Sequence, residues 1–74
     1  MADSHDIEIR GDDIRLGQLL KLAGVIDSGS DIKALLARGD VSVNGELETR
    51  RGRRLVHGDV VVCGSETVRV SAAS

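Results

Sequence analysis

The 74-residue sequence contains no phenylalanine, tyrosine or tryptophan, so any core it builds is aliphatic. The same absence removes one route to nucleic-acid binding, the stacking of bases on aromatic rings. A single cysteine, Cys63, excludes an internal disulfide and a cysteine-based zinc site. Closing the run Val60-Val61-Val62-Cys63, it reads as a small buried hydrophobe in a reduced setting. No apolar stretch approaches the roughly 18 residues of a membrane span, and no signal-peptide pattern is evident. The expected location is therefore cytoplasmic. The two histidines, His5 and His57, have no metal-ligand spacing around them and read as solvent-facing residues of a tail and a turn.

What is present fits one small domain over residues 1–74. Apolar residues make up 41% of the chain, too many for disorder. A second domain could not bury a core of its own at this length. The net charge is −2, which by itself argues against a polyanionic partner, but its distribution is uneven. Residues 1–31 carry three basic and seven acidic side chains, whereas residues 32–54 carry six basic and three acidic. Because salt screens charges beyond about 8 Å, an acidic protein can still present a basic face.

Local patterns predict an α+β fold, two short helices packed on a small, mainly antiparallel sheet. Met1–Asp6 is polar and expected to fray, after which Ile7 and Ile9 alternate with Glu8 and Arg10 as a short strand. Asp12 or Asp13 can cap a helix whose apolar positions, Leu16, Leu19, Leu20 and Ala23, follow helical spacing; Gly24 ends it. After a tight corner at 24–27, Ser28 is a good cap for a second helix with Ile32, Leu35 and Leu36 on its buried stripe, closed by Gly39. The period then shortens to two. Val41 and Val43 lead into Asn44-Gly45, a strong signal for a type I′ hairpin, with a return strand at Glu46–Thr49. His57-Gly58-Asp59 turns into the strand Val60–Cys63, and Gly64-Ser65-Glu66 turns into Thr67–Val70. The tail Ser71–Ser74 is expected to be loose.

Two stretches carry chemistry. Arg50, Arg51, Arg53 and Arg54 crowd into five residues, an arrangement whose self-repulsion a polyanion relieves. Their planar guanidinium forks match phosphate and stack on bases. The plainer reading is a solvated face balanced by Glu46 and Glu48. The other stretch is the second helix start, Ser28-Gly29-Ser30-Asp31-Ile32-Lys33, where free amides, a hydroxyl and Lys33 form a phosphate-binding end. There the plainer reading is a capped surface helix, with Asp31 opposing an anion. No general acid, base and electrophile assemble anywhere, so no enzymatic activity is expected.

In their order and spacing these pieces resemble the S4-type RNA-binding domain, or αL motif. The resemblance rests on Ile14-Arg15-Leu16, Leu19-Leu20-Lys21, Gly24, Ser28-Gly29, Lys33, Leu36, Gly39-Asp40-Val41, Val43-Asn44-Gly45 and Gly58-Asp59-Val60. It covers roughly residues 14–63. Glu48-Thr49-Arg50-Arg51 is similar to a stretch of the small stand-alone bacterial members, the YbcJ type. The resemblance implies two helices on a small sheet and binding of structured RNA, ribosomal or tRNA-like. Ser28, Gly29, Lys33 and Arg50–Arg54 would share the RNA-facing surface, with Arg15 and Lys21 at its edge. Gly17 stands where many members have an acid. Gly29 stands where many have a basic residue, and that loss shifts the expected affinity toward Arg50–Arg54.

The expectation is thus a non-catalytic, monomeric RNA binder without cofactor, metal or membrane contact, with an RNA-processing or ribosomal protein as a further partner. The competing expectation is a protein-interaction module using the arginine loop or an exposed strand edge at Thr67–Val70.

Overall fold

The protein, seen in a computed structural model, is described for residues 3–26 and 29–72. Seven strands and two helices follow one another as β1 (Asp3–Ile9), β2 (Asp13–Arg15), α1 (Leu16–Leu22), α2 (Gly29–Ala37), β3 (Val41–Val43), β4 (Glu46–Leu47), β5 (Arg54–Val56), β6 (Val60–Cys63) and β7 (Glu66–Ala72). Five strands form one sheet in the order β1-β7-β6-β3-β4, and β2 pairs with β5 in a separate two-stranded ribbon. All pairings are antiparallel except that of β1 with β7. The architecture is the expected α+β, two helices on a mainly antiparallel sheet.

The core is aliphatic, as the composition requires. Val41, Val43, Val61, Val68 and Val70 line the inner face of the sheet, and Leu16, Leu19 and Leu20 of α1 and Ile32 of α2 pack into the same cluster with Leu55. Both helices end in a glycine with positive φ, Gly24 at 75° and Gly39 at 74°. In each case the amides of the glycine and of the next residue reach back to the last turn. Gly24 donates to Lys21 O and Val25 to Leu20 O, while Gly39 donates to Leu36 O and Asp40 to Leu35 O. These paired bonds satisfy carbonyls that a helix end leaves without partners.

The Asn44-Gly45 hairpin is confirmed, with φ of 53° and 86° at its two central residues and Val43 opposite Glu46. Asn44 does more than turn the chain. Its side chain accepts from the Val60 amide at 2.9 Å and donates to Asp59 Oδ1 at 3.0 Å, tying the hairpin to the start of β6.

Several local expectations yield to long-range pairing. Asp12 and Asp13 do not cap α1: Asp13 lies in β2, opposite Val56, and Arg15 occupies the cap position in an extended conformation. Residues 3–6, expected to fray, extend β1 along β7, with Asp3 opposite Glu66 and His5 opposite Val68. His5 hydrogen-bonds Glu66 at 3.0 Å. At the other end β7 continues to Ala72, whose amide donates to the His57 ring at 3.1 Å. The return strand after the hairpin stops at Leu47, and Glu48 turns inward. Most consequentially, Thr67–Val70 is no exposed edge, since β7 runs between β1 and β6 and its hydrogen bonds are taken on both sides.

Candidate nucleic-acid interface

The arginine run folds as a compact loop because one acid sits beneath it. The Glu48 side chain is only 7% exposed. Its Oε2 accepts from the amides of Thr49 at 2.9 Å and Arg50 at 3.0 Å, and its Oε1 accepts from the Arg53 guanidinium at 2.9 Å. Arg50 Nε adds an ion pair at 3.6 Å. Successive amides aimed at one carboxylate form an anion-binding concavity. The Arg50 amide foremost, then the Arg53 side chain and the Thr49 amide, hold the Glu48 carboxyl below its usual value against the opposing effect of burial. By sequence alone Glu48 is a counter-charge on a solvated face. Its burial becomes visible only when the backbone after Leu47 is seen to turn inward.

The loop is in turn docked on the first helix. Leu16 donates to the Arg53 carbonyl and Gly17 to the Arg51 carbonyl, both at 2.9 Å, so two of the amides that open α1 find partners 34 or more positions along the chain. Gln18 Oε1 accepts from the Arg15 amide, and the Arg15 guanidinium donates to the Gly52 carbonyl at 3.0 Å. Arg54 closes the base of the loop through an ion pair with Asp13 at 2.7 Å. The helix is thereby capped by tertiary contacts in place of a local aspartate.

These contacts divide the four arginines. Arg50 and Arg53 face Glu48, and with Arg54 and Arg15 they line a cavity of about 460 Å³. Arg51 does not line that cavity and, among the described residues, has no carboxylate partner. It contributes to two neighbouring grooves. One, of about 520 Å³, also holds Lys33 and Thr49; the other, of about 330 Å³, also holds Arg15 and Lys21. Lys21 and Lys33 are exposed and also lack a carboxylate partner among the described residues. Of the candidate site residues, Arg15, Lys21, Lys33, Arg50, Arg51, Arg53 and Arg54 thus gather around one loop and two helices. Ser28 lies outside the described residues, and Gly29 opens α2. A larger groove of about 660 Å³ is lined by Ile9, Ile14 and Leu22 together with both signs of charge, unlike the basic loop. No group of three metal-ligating side chains occurs among the described residues.

This combination of a helix pair, a hairpin and a docked basic loop coincides with a match to the S4 domain over residues 7–71. The chain belongs to the S4 domain family. The S4 domain here is 50% identical over 58 residues to the probable ribosome maturation protein RlbA of Bacillus subtilis (strain 168), covering 78% of this chain and 82% of that protein. It is 39% identical over 59 residues to the putative RNA-binding protein YbcJ of Escherichia coli (strain K12), covering 80% of this chain and 84% of that one. None of its described helices is long and apolar enough to cross a membrane.

Proposed function

We propose that this S4 domain binds structured RNA, ribosomal or tRNA-like, through the basic surface formed by Arg51, Lys33, Lys21 and Arg15, extended by Arg50, Arg53 and Arg54 and by Gly29 at the start of α2, with Ser28, its neighbour in sequence, as a further contact. The observation that carries the reading is the position of Arg51. Its charge is balanced by no carboxylate among the described residues, and it shares one groove with Lys33 and the next with Arg15 and Lys21. Rows of uncompensated cations flanking a concave surface suit a phosphate backbone. With no aromatic ring in the chain, selectivity would come from the shape of a folded RNA and from arginine stacking rather than from base platforms. The names of the two relatives, one an RNA-binding protein and the other a ribosome maturation protein, point the same way. The domain would act without catalysis, as a cytoplasmic monomer, delivering or holding RNA for an RNA-processing or ribosomal protein partner.

The test is a titration into labelled structured RNA, with duplex DNA alongside, across about 50 to 300 mM salt. Label anisotropy serves as the signal because the protein has no tryptophan or tyrosine. The expected result is tighter binding to RNA, with log K falling against log salt by about 0.7 to 0.9 per neutralised phosphate. The Arg50→Ala/Arg51→Ala double variant should bind more weakly and with a shallower slope. Failure to bind RNA at the lowest salt would overturn the proposal in favour of an acidic protein surface as the partner.

A further inference from the structure

The buried carboxylate of Glu48 lies within a surface that otherwise gathers positive charge, where simple electrostatics makes it an obstacle to a polyanion. Its geometry argues the reverse. Three hydrogen bonds, from Thr49 N, Arg50 N and the Arg53 guanidinium, converge on its two oxygens within 3.0 Å. They fix the backbone of residues 48–50 and the far side of the loop at Arg53 relative to one another. The carbonyls of Arg51 and Arg53, at the top of that loop, are the acceptors for Gly17 and Leu16. Glu48 therefore ties together the two sides of the loop that meets α1 and from which Arg51 leaves. Arg54 has its own partner in Asp13, but Glu48 is the one carboxylate that offsets the mutual repulsion of Arg50 and Arg53 among the described residues.

We infer that Glu48 is a positioning residue for RNA binding: it holds Arg50 and Arg53 to one side of the loop so that Arg51 faces the helix grooves. The inference rests on the RNA-binding reading above. It makes a prediction whose sign is opposite to that of simple charge. Glu48→Gln removes a negative charge from a basic surface and, by long-range electrostatics alone, strengthens RNA binding. As a positioning residue its replacement weakens binding, because a neutral amide cannot anchor two guanidinium groups and offers one acceptor oxygen in place of two.

The experiment measures RNA affinity against salt for the full chain, for Glu48→Gln and Glu48→Asp, and for Glu46→Gln as a control. Glu46 is exposed on β4 and makes no part of the loop. Circular dichroism on each sample gives the folded fraction, and Glu48→Asp, which keeps the charge but shortens the reach, serves if the glutamine variant does not fold. The expected result is a loss of roughly five- to tenfold for the Glu48 variants, the scale of one or two phosphates left without a cation, with a salt slope shallower by about 0.7 to 0.9 for each such phosphate. Glu46→Gln, which makes the same change in net charge, should bind as tightly as wild type or slightly more tightly. A loss of affinity with an unchanged slope, the signature of a smaller folded fraction, overturns the positioning role. So does a Glu48→Gln variant that binds as well as or better than wild type. If wild type itself shows no salt-dependent RNA binding, the RNA-binding reading fails first and takes this inference with it.

Discussion

Gly17 and Arg51 meet backbone to backbone: the Gly17 amide donates to the Arg51 carbonyl at 2.9 Å, joining the first turn of α1 to the tip of the arginine loop. A Cβ built at residue 17 would lie 3.6 Å from that carbonyl oxygen and 4.0 Å from Arg51 Cβ, an ordinary van der Waals approach. The junction thus requires the amide of residue 17 but not the absence of a side chain.

Gly17→Ala is accordingly expected to stabilise the protein. Alanine costs less backbone entropy than glycine in a helix, a difference of up to about 1 kcal/mol, and the added methyl group meets no clash. Thermal unfolding should show a raised midpoint with RNA affinity retained. A lowered midpoint would mean that the loop presses on α1 more tightly than the 3.6 Å approach implies.

Arg51 and Arg53 should separate function from stability. Arg51→Ala removes an exposed cation with no carboxylate partner among the described residues, so it is expected to weaken RNA binding while leaving unfolding within about 0.5 kcal/mol of wild type. Arg53→Ala takes from buried Glu48 its side-chain donor at 2.9 Å and is expected to destabilise by about 1–3 kcal/mol. Urea unfolding of the two variants, compared with their RNA titrations, checks the division.

Acid should act on the Glu48–Arg53 pair. The Glu48 carboxyl in the fold is held below its usual value of 4.5, so the unfolded chain takes up that proton more readily than the folded one. The stabilisation from Glu48 is complete above the unfolded value and is lost as pH falls through the lower, folded one. Wild type should therefore be more stable than Glu48→Gln near neutrality, with the gap narrowing as pH falls below about 4.5. Urea midpoints for both proteins across that range supply the measurement, and a gap that widens in acid would contradict the assignment.

Asn44 is expected to be costly to replace. It carries the only positive φ of a non-glycine residue among those described, 53°, and its amide group bonds both Asp59 and the Val60 amide. Asn44→Ala removes both bonds and sits less easily in that conformation, for a combined cost of about 1–3 kcal/mol. Asn44→Gly relieves the backbone while removing the same bonds and should cost less, so the difference between the two variants isolates the backbone contribution.

The Cys63 thiol should be slow to react in the native state. It is buried, and burial foremost, then the charges of Asp40 and Glu66, push its ionisation up, leaving little of the thiolate that reacts with disulfide reagents. Labelling by an aromatic disulfide is expected to speed up by orders of magnitude in denaturant. Equal rates in the two conditions would place the thiol at the surface.

Features controlled by neighbouring residues are legible in the amino-acid order. Leu16, Leu19 and Leu20 at helical spacing, Gly24 and Gly39 at helix ends, and Asn44-Gly45 between alternating valines each select a backbone conformation from within a few positions, and each is found where that logic puts it. The order of these pieces also carries the S4 resemblance. Pairing across the chain is settled only by the fold. Residues 3–6 look like a frayed tail until β7 is placed beside them, and Asp13 looks like a helix cap until β5 brings Arg54 within 2.7 Å. Thr67–Val70 looks like a free edge until β1 covers it. The arginine run is plain as a basic stretch, but its division into Glu48-facing and groove-facing members is not. Whether an acid beside arginines lies in solvent or beneath them depends on where the backbone turns; here the Glu48 amide is held by the Val41 carbonyl, and the loop that follows is docked on a helix more than 30 residues away. Burial converts Glu48 from a screened surface charge into the fixed point around which the loop is arranged.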